Sequence, residues 1–110
     1  MSGKPVEFHP EALAEAEAAV AWYGERSLRA AEVFVSDLEK AIAAISEVPH
    51  RWPFFEAGYR RFPLRRFPYL LIYREKALSI EVLAVAHGRR RPGYWHPRND
   101  KDPGKGRVWS

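Results

Sequence analysis

Between Tyr59 and Trp95 the chain reads YRRFPLRRFPYLLIYREKALSIEVLAVAHGRRRPGYW, and the residues able to do chemistry gather here. His87 is followed at once by a run of arginines that includes Arg89 and Arg90, then by Tyr94 and Trp95, with Arg60, Arg61 and Arg65 upstream. This set holds cations, a residue type that titrates near neutrality and polar aromatics, but no nucleophile of its own. It suits a phosphodiester. In RNA the attacking group is the substrate's 2′-hydroxyl, so a protein need only position it, move protons and neutralise the phosphorane. His87 is then the proton-transfer candidate and the arginines supply charge, while Tyr94 or Trp95 can stack on a base. The competing readings are a strand-end histidine bonded to backbone and arginines that pair with a protein partner.

Other chemistries find no foothold. His9, His50, His87 and His96 lack metal-binding spacing, cysteine is absent, and no serine sits in a nucleophile-elbow pattern. There is no glycine-rich phosphate loop, and neither a metal nor a cofactor is expected. Without cysteine there are no disulfides, which is compatible with a reducing compartment. No apolar run approaches a membrane span and no export signal is legible, so the expected location is the cytoplasm, with no membrane contact.

The net charge of +4 conceals a division. Residues 1–58 hold 5 Lys/Arg against 10 Asp/Glu, and residues 59–110 hold 13 against 4. A basic half of this kind meets phosphate or an acidic partner, because opposite potential speeds encounter and selects orientation.

The elements that must position these residues follow from periodicity. The length suits one domain. Val6 to His9 is expected to form an edge strand. Pro10 opens a helix whose apolar stripe runs through Leu13, Ala16, Val20 and Tyr23, with Glu11 and Glu15 favoured by the helix dipole and Gly24 as its stop. Ser27 caps a second helix to about Glu47, with Ala31, Phe34, Leu38, Ala41 and Ile45 on one face and Pro49 beyond its end. The short link between them makes an antiparallel helical hairpin. Trp52, Phe54 and Phe55 are expected to plug the open end of that hairpin. Strands follow from Tyr59, from Tyr69 and from about Leu78; Pro63 and Pro68 interrupt the first, and the last is apolar on both faces, as a central strand would be. The expected fold is α+β, an N-terminal strand and helical hairpin packed on a small antiparallel sheet. One domain is expected over residues 1–98, with a flexible tail over 99–110.

This order, with GYRRFPLRRFPYLLIYR and then LAVAHGRRRPGYW, resembles the RelE/ParE superfamily of toxins from type II toxin–antitoxin modules, most closely the ParE-like plasmid stabilisation branch. The pieces that carry the likeness are Arg60 after Gly58, Phe67-Pro68-Tyr69, Tyr73, and His87-Gly88-Arg89-Arg90. The resemblance implies a toxin held in a hetero-oligomer by a cognate antitoxin whose acidic or amphipathic segment wraps it. It implies inhibition of DNA gyrase in the ParE manner; the alternative is ribosome-dependent cleavage of mRNA in the RelE manner. The chain departs from the RelE pattern in having no lysine between Ala57 and Glu75. If the protein is a ribonuclease, His87, Arg65 and Tyr94 are the catalytic candidates, with Glu56 a possible base beside His87. Under the gyrase reading, Arg60, Arg61, Arg89, Arg90 and Trp95 would meet the target or its phosphates. A non-toxic basic domain that binds nucleic acid is the third reading.

Overall fold

A computed structural model describes residues 3–56, 58–100 and 107–108. The chain runs β1 (Val6–Phe8), α1 (Pro10–Arg26), α2 (Leu28–Glu47), a single 3₁₀ turn (Pro49–Arg51), β2 (Phe54–Glu56), β3 (Tyr59–Pro63), β4 (Tyr69–Glu75), β5 (Ile80–His87), α3 (His96–Asp100) and β6 (Arg107–Val108). The expected α+β arrangement is present: a strand, a helical hairpin and a sheet. No helix among the described residues is long and apolar enough to cross a membrane.

Ser27 works twice at the hairpin's bend. Its N–H closes α1 on the Tyr23 carbonyl at 2.8 Å, and its Oγ accepts from Ala30 N–H at 3.1 Å to start α2. Gly24 therefore does not stop α1, which continues to Arg26. At the other end of α1, His9 takes the cap position, its Nδ1 accepting from Glu11 N–H at 3.1 Å. The buried face of α1 is Ala12, Ala16 and Ala19, so this helix approaches the sheet closely; α2 contributes the bulk through Phe34, Leu38 and Ile45. These residues meet Leu71, Tyr73, Ile80, Val82 and Val85 in one apolar layer.

The sheet order is β2-β3-β4-β5-β1-β6. β3, β4 and β5 form the expected antiparallel core, and every residue of β5 from Ile80 to Ala86 is buried, as a central strand requires. Two strands alter the sheet's outline. β1 joins β5 in parallel and lies inside the sheet rather than at its edge, with Arg107–Val108 paired on its far side. The remainder of the expected tail, 101–106 and 109–110, lies outside the described residues. The FFE segment, read as loop from sequence, adds β2 beside β3, with Gly58 taking φ 83 in the turn between them.

This strand separates the aromatics expected in one plug. Trp52 packs on Phe62 on the helical side of the sheet, Phe55 joins the cluster on the opposite side, and Phe54 stays 58% exposed. Alternation explains the division, because neighbours on a strand point to opposite faces.

Tyr73 ties the sheet to the turn after α2. Its ring is fully buried and its hydroxyl donates to the Pro49 carbonyl at 2.7 Å. Burial pushes its pKa up to about 12. Tyr73→Phe is expected to cost about 1–2 kcal/mol, because the Pro49 carbonyl loses its partner. The unfolded chain ionises first, at about 10. Stability from Tyr73 is thus complete below pH about 10 and falls away toward pH about 12, and urea midpoints of the Phe variant should lose that alkaline slope.

Candidate functional site

The face of the sheet turned away from the helices carries a second, smaller apolar cluster of Tyr59, Ile72, Leu83, Ala84, Ala86 and Trp95. The segment after β5 folds back onto this face and Trp95 anchors it, only 2% exposed and with its ring centroid 4.8 Å from that of Tyr59. Trp95, expected to meet a target, is thus a packing residue. The signal that could have shown this is the apolar parity of Leu70 and Ile72, which leaves a face needing a cover.

What holds the segment in place is a carboxylate on α1. Glu15 accepts from Val85 N–H at 2.9 Å, from the Tyr94 hydroxyl at 2.7 Å, and from both terminal nitrogens of Arg98 at 3.0 and 2.8 Å. Arg98 also donates to the Leu83 carbonyl at 2.9 Å. Beyond Phe8, β1 no longer covers β5, and these two side chains satisfy the backbone groups it leaves. Glu15 therefore does not serve the helix dipole as expected. Its place among Ala12, Ala16 and Ala19 at helical spacing was the sign that its carboxylate points inward.

Of the catalytic candidates, His87 and Tyr94 line one hollow and Arg65 lines another, beside Asp37, Lys40 and Arg66. The hydroxyl of Tyr94 is engaged by Glu15, and burial together with that bond drives its pKa far above the usual tyrosine value. His87 accepts from Arg89 N–H through Nδ1 at 3.0 Å and packs edge-on against Tyr69. Glu56 is paired not with His87 but with His96, Oε2 to Nε2 at 2.6 Å.

The arginines divide into two groups. Arg98 is paired with Glu15, Arg74 with the buried Glu81 at 2.8 Å, and Arg66 with Asp37 at 2.6 Å. Arg60 is also engaged: it donates to the carbonyls of Trp52 at 2.7 Å and His50 at 3.3 Å and lies over Phe54. Arg61, Arg89, Arg90 and Arg91 are exposed and make no ion pair among the described residues. Arg61 and Arg90 lie over Phe55 and Tyr94, with Arg61 5.1 Å and Arg90 3.8 Å from the ring centres. These four cations sit around the end of β5 and on β3, two strands away, whereas Arg29, Arg51 and Arg65, likewise exposed and without an ion pair among the described residues, lie apart from them, and Glu17, Glu25, Glu32 and Glu39 are exposed on the helical layer.

The Arg66 bond holds the Asp37 carboxyl below the usual carboxylate range. A depressed folded-state value stabilises the fold above the unfolded pKa of about 3.9, and that contribution is lost as pH falls below it. Arg66→Ala should therefore weaken the fold at pH 6 but leave it close to the wild type at pH 2, a contrast that urea titrations at the two pH values would read.

Two hollows adjoin the free cations. One, of about 270 Å³, lies on the open sheet face between β2, β3 and the segment after β5. The other, of about 580 Å³, lies on the helical side, where Ala18, Ala19, Trp22 and Tyr23 of α1 face Pro68 and Tyr69. His87 and Arg90 line both.

No curated protein matches the chain at a significant level. Among solved structures, a chain of the "Chromosomal ParDE TA system from P. aeruginosa" is similar in fold, with a TM-score of 0.67 at 20% identity, over 76% of this chain and 95% of that one. The family model described as "ParE toxin of type II toxin-antitoxin system, parDE" matches residues 6–92, from β1 to the arginine run after β5. That span includes strands β1 to β5, the helical hairpin and the arginines around the end of β5 alike, and the chain belongs to the ParE toxin family of type II toxin–antitoxin systems.

Proposed function

We propose that this toxin inhibits DNA gyrase by presenting the cations around the end of β5 to the enzyme or its bound DNA, and does so without hydrolytic chemistry. One observation carries the reading. Among the described residues, exposed Arg61, Arg89, Arg90 and Arg91, gathered around the end of β5 and on β3, pair with no carboxylate, whereas Arg66, Arg74 and Arg98 do. The engagement of Tyr94 by Glu15, and the placing of Arg65 in a different hollow from His87, support a mode that needs no acid–base pair. Purified protein should stop supercoiling by gyrase at stoichiometric concentrations and trap cleaved gyrase–DNA complexes. Intact supercoiling at a large molar excess of toxin would sink the proposal.

The antitoxin's place in this reading is the groove on the helical side. Trp22 is 51% exposed there, with the Arg26 guanidinium 3.5 Å from its ring centre, and His87 and Arg90 line the same groove. An apolar segment carrying acidic residues complements it, and by reaching Arg90 it would mask part of the target surface. Cleavage of mRNA is the second reading, favoured by the Glu56–His96 pair. It predicts fragmentation of ribosome-bound message before any DNA damage, and the opposite order excludes it.

A further inference from the structure

The hollow on the open sheet face has a composition that the inhibition of an enzyme does not by itself require. Its floor is apolar, formed by Leu70, Ile72 and Ala86. Arg61, Arg90 and Arg91 line it, and among the described residues Glu56 is its single carboxylate. His96, bonded to Glu56 at 2.6 Å, limits how that carboxylate can turn. At about 270 Å³ the space falls at the lower end of small-molecule sites, the size for one nucleotide and too small for a duplex.

Each part of that lining selects something. A flat apolar floor takes a planar ring, and guanidinium groups take phosphate in bidentate fashion. A lone carboxylate, acceptor only, is harder to satisfy. Guanine alone among the common bases offers two adjacent donors, N1–H and the N2 amino group, on its Watson–Crick edge. Adenine and cytosine place a ring acceptor beside their amino group, and uracil and thymine set one N–H between two carbonyls; both arrangements bring lone pairs against the carboxylate.

We infer that this hollow binds a guanine nucleotide, with the base on the Leu70, Ile72 and Ala86 floor, its donor edge on Glu56, and its phosphate among Arg61, Arg90 and Arg91. The nucleotide is either free or an unpaired residue of a nucleic-acid strand. The inference rests on the reading of this face as the working surface of the toxin, but not on gyrase being the target.

Isothermal titration of the purified chain with GMP, AMP, CMP, inorganic phosphate and a thymine oligonucleotide holding one central guanine tests it. GMP should saturate with at least about tenfold preference over AMP, the discrimination expected of one bidentate base contact. Glu56→Gln should erase that preference, and Arg61→Ala should weaken GMP and AMP together. A guanine oligonucleotide that binds more tightly than GMP assigns the ligand to a strand, and equal or weaker binding assigns it to the free nucleotide. In the wild type, methyl NMR shifts on adding GMP should centre on Leu70, Ile72 and Ala86, a readout independent of any variant's folding. Absence of saturable binding, equal affinity for all bases, or phosphate alone binding as well as GMP would overturn the inference. A chain that still inhibits gyrase while binding no nucleotide would overturn it alone and leave the gyrase proposal intact.

Discussion

Glu15→Gln is expected to lower the unfolding free energy by about 3 kcal/mol, an effect large for a single-atom change. The variant keeps the shape of the side chain but removes the charge that balances Arg98, which is itself buried. Arg98 would be left facing an amide, the Leu83 carbonyl and, at 3.5 Å, the largely exposed carboxylate of Glu11, which is too solvated to replace Glu15. For a domain of this size the melting temperature should fall by about 10 °C or more. Arg98→Met should also destabilise, since Glu15 then loses two charged donors, and the double variant should recover part of the loss because both charges are gone together. Urea unfolding of the four proteins closes the cycle. Additive losses would mean that the two side chains act separately and that the segment bearing Tyr94 and Trp95 is held by apolar contact alone.

Arg89→Glu combined with Arg91→Glu should remove growth inhibition, and the purified variant should need on the order of 100-fold more protein to inhibit gyrase to the same extent. Reversing charge at an interface replaces attraction by repulsion and acts mainly through the rate of encounter. Neither side chain forms an ion pair among the described residues, and both are exposed, so unfolding free energy should move by no more than about 0.5 kcal/mol. Arg29→Glu on α2 is the control, an exposed arginine on the helical layer. If it impairs inhibition as severely, per charge, as the changes after β5, net charge rather than a defined surface governs activity. Inhibition by the wild type should also weaken as salt is raised, since exposed charges are screened.

Much of this architecture could be read from local pattern. Ser27 as a cap, the stripe Ala31, Phe34, Leu38, Ala41 and Ile45, and the two-sided burial of β5 all depend on residues within a few positions of each other. β2 was not legible, because a three-residue segment becomes a strand only when β3 lies beside it. The parallel union of β1 with β5 brings together residues more than 70 positions apart, and a short run such as VEF carries no mark of its neighbour's direction. The site was legible in its charges and not in their partners. Nothing near Arg98 in the chain indicates that it ends against Glu15, and nothing near Trp95 indicates that it is buried.

By itself the amino-acid order determined the helices, the central strands, the segregation of charge and the likeness to a toxin family, since periodicity and motif spacing are carried within single segments. Only the tertiary structure decided which arginines are left for a partner. Pairing in space joins Glu15 to Arg98 across 83 positions and Asp37 to Arg66 across 29. A cation is available only when no carboxylate has folded against it, and that depends on how distant segments pack.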